Sequence, residues 1–164
     1  MTSWEDASMR NTIQYWLMKS EPALYSIDDL ARDGKTCWDG VRNYQARNYM
    51  RDTMQIGDLA LFYHSGAEPV GVVGVMQVCS GAYPDFTSWD PHNDHFDPQS
   101  TPELPRWFMV DVAFVEKFSH VVTLEAIKAK PRLQGILVAK RGMRLSIQPV
   151  SKEHFEVICE MGRK

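Results

Sequence analysis

Aromatic and basic side chains recur together along the sequence, and that pairing suits the binding of nucleic-acid bases. Trp16, Trp38, Tyr44, Tyr63 and Trp107 each fall at an expected strand edge or turn, alongside Ser20, Arg42, Asn43, His64 and Arg106. Aromatic faces stack on bases, at about 1–3 kcal/mol each, while Arg and Lys hold phosphate. Taken singly, an aromatic side chain more often serves a core. Trp38 stands out because it lies between two turn dipeptides, Asp33-Gly34 and Asp39-Gly40, and runs directly into Val41-Arg42-Asn43-Tyr44-Gln45. A bulky indole between turns, followed by a polar and basic stretch, fits the rim of a pocket.

A second cluster is Asp90-Pro91-His92-Asn93-Asp94-His95-Phe96-Asp97. His92, Asp94, His95 and Asp97 are donor types that divalent metals accept. No helix fixes their spacing, and a polar loop held by Asx turns explains them more simply. No metal and no cofactor is therefore expected. Nucleophile-elbow, zincin and P-loop motifs are absent, and Gly71-Val72-Val73-Gly74 sits in an expected strand rather than at a helix start. An enzyme would have to use His64 as base with Asp39 or Asp111 as its partner; a protein-interaction module is the other alternative.

The elements that must hold these residues follow from the pattern. The chain has 164 residues, 44% of them hydrophobic and 24% charged, which describes an ordinary globular domain. Residues 1–12 read as a polar extension and 13–164 as a single domain. No apolar run reaches the roughly 20 residues that span a bilayer. Neither a secretory leader nor a CxxC pair is present, so Cys37, Cys79 and Cys159 are expected as buried, reduced thiols in the cytoplasm or nucleus, and the protein as not secreted and free of membrane. The net charge of −3 is unevenly spread: residues 1–51 balance, 52–116 carry −9 and 117–164 carry +6. One surface can thus be basic on an acidic protein.

Residues 14–19 read as a strand, and Ser26-Ile27-Asp28-Asp29 as a capping box opening a helix to about Arg32. Tyr44 to Met54 reads as a helix with Arg47 and Arg51 on one face. Leu59–Tyr63 and Val70–Val78 form a hairpin, in which Gly71 and Gly74 mark a bulge or a close backbone approach. A proline-rich loop spans residues 81–105. A strand over 107–117, a short helix over 124–130, a strand over 144–148 and a helix from Ser151 to about Cys159 complete the chain. Antiparallel strands with short helices point to an α+β domain curled toward a barrel.

Several long segments, in order, resemble the EVE-domain family: Tyr15–Pro22 (YWLMKSEP), Tyr25–Leu30 (YSIDDL), Trp38–Asn48 (WDGVRNYQARN), Gly57-Asp58, Phe62–Ser65 (FYHS), Tyr83–Asp85, Phe96–Pro98, Pro105–Trp107, Val110–Val112 and Arg144–Val150 (RLSIQPV). The likeness spans about residues 14–158. It implies a PUA-like fold, that is, a twisted β-barrel of antiparallel or mixed strands flanked by short helices. It also implies kinship with YTH domains, which hold a methylated adenine in an aromatic cage, and a non-enzymatic role in binding modified bases of DNA or RNA. By position, Trp38 would be the stacking wall, with Tyr63, His64 and Ser65 opposite and Lys19 and Ser20 beside it. Asn43, Tyr44 and Gln45 would meet the base edge. Arg42, Arg47 and Arg51 would meet phosphate, with Arg144 and Ser146 near the same mouth. Gly66 stands where the family pattern has Asn after His-Ser. The expected protein is a monomeric reader whose partner is DNA or RNA carrying a modified base.

Overall fold

The computed structural model describes residues 12–164. The extension expected over residues 1–12 therefore lies, apart from Thr12, outside the described residues. Six strands form one sheet: β1 (Tyr15–Ser20), β2 (Lys35–Cys37), β3 (Leu59–His64), β4 (Gly71–Val78), β7 (Asp111–Thr123) and β8 (Ile147–Val150), in the order β2-β7-β4-β3-β1-β8. A second, two-stranded ribbon pairs β5 (Tyr83–Pro84) with β6 (Phe108–Met109). Four α-helices accompany them: α1 (Ile27–Asp33), α2 (Tyr44–Asn48), α3 (Leu124–Ala129) and α4 (Lys152–Arg163). The α+β expectation holds, in one domain.

The sheet is mixed. β1 and β3 run parallel, with Trp16 opposite Ala60 and Met18 opposite Phe62, whereas the other pairings in the sheet are antiparallel. The crossover between them carries α1, β2 and α2, so the segment read as the rim of a pocket is the connection of a parallel pair. Alternation along these strands divides the core. Trp16, Met18, Ala60 and Phe62 join one buried cluster with Trp38 and Leu30. Leu17, Leu61 and Tyr63 join the other, which α4 covers with Phe155 and Ile158. Both faces are buried, which is why β1 and β3 read as near-continuous apolar runs.

The two glycines of β4 bring β7 close. A Cβ on Gly71 would lie 2.3 Å from the Val122 carbonyl oxygen, and one on Gly74 would lie 2.3 Å from that of Glu116. The β4–β7 register shifts between Val72 and Gly74 and again between Val75 and Met76, so at Gly74 the anticipated bulge and close approach occur together. β7 runs on to Thr123, well past the expected end at Lys117. The last strand starts at Ile147 instead of Arg144, which leaves Arg144 and Ser146 in the preceding loop.

The Ser26 capping box forms as read: Ser26 Oγ accepts from the Asp29 N–H, and Asp29 Oδ2 accepts from the Ser26 N–H. The helix expected over 44–54 changes pitch, because α2 gives way to a π-turn at Tyr49–Thr53. Arg47 and Arg51 stay near enough for the Arg51 charge to help lower the Arg47 pKa, after desolvation. Only Cys159 is the expected buried thiol, and burial raises its pKa to about 11; Cys37 is half-buried and Cys79 exposed. Among the described residues, no helix is long and apolar enough to cross a membrane.

Candidate nucleic-acid interface

A cleft of about 1000 Å³ opens where the end of β1, the end of β2 and the loop before β8 meet. Trp38 forms part of its wall, and Lys19, Ser20, Ser65, Arg144 and Ser146 also line it. These six predicted residues come together from four separate stretches of chain. The Lys19 N–H donates to the Ser146 carbonyl at 2.9 Å, and the Ser65 N–H donates to the Ser20 carbonyl at 3.0 Å, so backbone bonds fix the three stretches.

Trp38 serves the cleft and the core together. It is 7% exposed and meets Phe62 edge-to-face, with ring centroids 5.4 Å apart. Its N–H donates to the Val110 carbonyl, and the Gly40 N–H donates to Asp85 Oδ2, each at 2.8 Å. Gly40 adopts φ +78°, and a Cβ there would collide with the His95 ring at 2.5 Å, so glycine is required at this turn.

Asp85 is the fastener of this wall. Its fully buried carboxylate accepts from the Thr87 N–H and hydroxyl, the Gly40 N–H and the Arg42 guanidinium. Burial alone would raise its pKa, but these donors outweigh it and hold the carboxyl below its ordinary range. Arg42 also donates to the His95 carbonyl at 2.7 and 3.1 Å. Trp107 Nε1 donates to Asp97 Oδ2 at 2.7 Å, which keeps the Asp97 carboxyl low. The loop of residues 81–105 is thus packed surface structure that frames the cleft.

Several sequence-derived assignments change. Tyr63 belongs to the buried cluster on the other face of the sheet, with the Lys19 ammonium 5.7 Å from its ring centroid. Tyr63 and His64 are neighbours in a strand, so their side chains point to opposite faces. His64 Nε2 accepts from the Ile27 N–H at the start of α1, at 3.1 Å, and burial lowers its pKa. Its lone pair is already in use, and none of the described hydrogen bonds joins it to Asp39 or Asp111; the latter accepts from the Tyr83 hydroxyl. Asn43 caps α2 through Ala46, and Gln45 reaches Tyr49. Tyr44 stacks on Trp107, centroids 4.9 Å apart, with the Arg47 guanidinium 4.7 Å from the Tyr44 centroid. Arg47 donates to the Arg106 carbonyl, and Arg51 pairs with Asp52. Arg42 is half-buried, with its guanidinium held by the Asp85 carboxylate and the His95 carbonyl.

His95 and Asp94 line the cleft, while His92 is exposed and Asp97 is taken by Trp107. Among the described residues, no three His, Cys, Asp or Glu side chains converge to hold a metal. Glu21, Asp39 and Met143 also line the cleft and were not singled out as pocket residues. They adjoin Ser20, Trp38 and Arg144, and that adjacency was the available signal. Asp39 is surface-accessible, yet desolvation at the wall and the nearby Asp85 charge raise its pKa.

The comparisons agree with this architecture. The EVE domain family model matches residues 14–161. Human thymocyte nuclear protein 1 is 38% identical over 182 residues, covering 99% of this chain and 80% of its own length. A hypothetical protein of Leishmania major has a solved structure with TM-score 0.88 and 47% identity, covering 94% of this chain and 97% of its own. Human THYN1, solved in complex with 5-methylcytosine-containing DNA, has TM-score 0.85 and 39% identity, covering 92% and 98%. The fold is the PUA-like fold of these EVE structures, and the chain belongs to the EVE-domain family.

Proposed function

We propose that this protein is a non-enzymatic DNA reader that takes a 5-methylcytosine base into the cleft beside Trp38. The observation that carries the reading is the convergence of Trp38, Ser20, Ser65 and Ser146 with the free guanidinium of Arg144 around one cleft, in a chain similar to a protein crystallised with 5-methylcytosine-containing DNA. Arg144 is exposed and held by no ion pair or hydrogen bond among the described residues, so it is a cation available to a phosphate at the cleft mouth. A non-enzymatic role is supported by His64, whose imidazole is committed to the start of α1. The similarity to thymocyte nuclear protein 1 favours a nuclear setting.

Stacking on Trp38 supplies about 1–3 kcal/mol, which offsets much of the few kcal/mol needed to extract a paired base. Burying the 5-methyl group adds only about 0.8 kcal/mol, near fourfold, and that sets the preference over cytosine, whose polar edge is the same; rejection of other bases comes from the polar edge of the cleft. The test is a titration of single- and double-stranded oligonucleotides, with 5-methylcytosine or cytosine at one position, at two salt concentrations. The reader prefers the methylated strand, and Trp38→Leu removes that preference while the protein stays folded. Equal, strongly salt-dependent binding to both strands refutes base reading, and association only with a protein partner would make this an interaction module.

A further inference from the structure

The side chains lining the cleft differ in how much hydrogen-bonding capacity they have left. The Ser20 hydroxyl donates its hydrogen to the Tyr25 carbonyl and the Tyr25 hydroxyl donates to Asp33, so each has only acceptor capacity left. The hydroxyls of Ser65 and Ser146 can turn to donate or accept, so they distinguish little. Groups of fixed sign discriminate best, and three carboxylates line the cleft: Glu21, Asp39 and Asp94. When ionised these can only accept.

Of the three, Asp39 is the most firmly placed. It follows Trp38 directly, and its turn is pinned on both sides by Trp38 N–H to Val110 O and Gly40 N–H to Asp85 Oδ2. Its short side chain leaves little freedom to lose on binding. Glu21 is longer and lies against the positive-φ Gly66, whose added Cβ would come within 2.9 Å of Glu21 Oε1. Asp94 sits on an exposed turn. Among the described residues no other side chain is hydrogen-bonded or ion-paired to the Asp39 carboxylate, which is exposed at the cleft and reached by its own backbone N–H, so it can accept a donor brought by the ligand.

We propose that Asp39 sets the base specificity of this cleft: its carboxylate accepts the exocyclic amino group of a cytosine base lying against Trp38 and rejects thymine, which presents a carbonyl oxygen there. This rests on the base-reading function above. Carboxylates accept from cytosine N4, and such a pairing discriminates by about 1–3 kcal/mol, or roughly 5- to 150-fold.

5-Methylcytosine and thymine share the 5-methyl group and differ at the 4-position, so they form the probe pair. Single-stranded oligonucleotides carrying 5-methylcytosine, thymine or an abasic site at one position would be titrated against the full chain. The wild type should bind the 5-methylcytosine strand at least about fivefold tighter than the thymine strand. Asp39→Asn, which can donate as well as accept, should shrink that ratio below threefold, while the affinity change from the lost charge is shared by the 5-methylcytosine, thymine and abasic strands. Glu21→Gln should keep the wild-type ratio. Equal binding of both bases by the wild type, both above the abasic strand, overturns the role of Asp39 and leaves base reading intact. No gain over the abasic strand overturns base reading itself. A ratio that survives Asp39→Asn, or collapses in Glu21→Gln, assigns the selectivity elsewhere.

Discussion

The two sides of the cleft are built in opposite ways. One side, Trp38–Arg42 with the loop from Asp85 to Asp97, is closed on itself: Asp85 gathers the Gly40, Arg42 and Thr87 donors, and Arg42 holds the His95 carbonyl. The other side, Met143–Ser146, is tied to β1 by the Lys19 N–H to Ser146 carbonyl bond, and it leaves the Arg144 side chain exposed. Arg42 and Arg144 look alike in sequence and do different work. A guanidinium held by a buried carboxylate and two carbonyl contacts is architecture, whereas an uncommitted one at the mouth is available to a ligand.

That contrast is open to direct test. Asp85→Ala should have the largest effect. It leaves Gly40, Arg42 and Thr87 without their shared acceptor and should lower stability by about 3–5 kcal/mol, seen as a shifted urea midpoint. Acid should weaken the same wall. The folded-state pKa values of Asp85 and Asp97 are depressed, so their stabilisation is fully present above the unfolded carboxylate value of about 3.9 and fades as pH falls through the folded values. Urea midpoints at pH 7 and pH 3 should differ in wild type and differ less in Asp85→Ala. Arg42→Ala should cost about 1.5–3 kcal/mol of stability through its lost charged hydrogen bonds. Arg144→Ala should leave the urea midpoint within about 0.5 kcal/mol of wild type, while its DNA affinity becomes less salt-dependent by about one unit of slope. If the two arginine variants exchange these behaviours, the division into a fixed wall and a free lip is wrong.

Much of the fold could be read from local pattern. The capping box at Ser26, the hairpin of β3 and β4 and the close approach at Gly71 and Gly74 each depend on residues near in sequence or on backbone sterics. The parallel pairing of β1 with β3 could not be read in this way, because the segment between them resembled turns and a rim more than a crossover. Trp38 was legible as a wall because its flanking turns isolate it, although its edge-to-face packing on Phe62 shows that it belongs to the core as well. Its replacement by Ala would therefore disturb folding along with binding, which is why Leu is the informative substitution.

The arginines were illegible for a different reason. The partner of Arg42, Asp85, lies 43 residues further on, and no local signal distinguishes a committed guanidinium from a free one. Tyr63 is a case where the signal existed and pointed the other way. Period-2 alternation sends Tyr63 and His64 to opposite faces, so the run Tyr63-His64-Ser65 could not line one pocket throughout.

The central claim is that a base, and not the backbone alone, occupies the cleft beside Trp38. The most direct measurement compares affinity for a 5-methylcytosine strand with affinity for the same strand bearing an abasic site, in wild type and in Trp38→Leu. The account predicts a wild-type gain of at least fivefold from the base, the lower end of the stacking range of about 1–3 kcal/mol, and its loss in Trp38→Leu at unchanged affinity for the abasic strand. Equal affinity of the wild type for the two strands would contradict it.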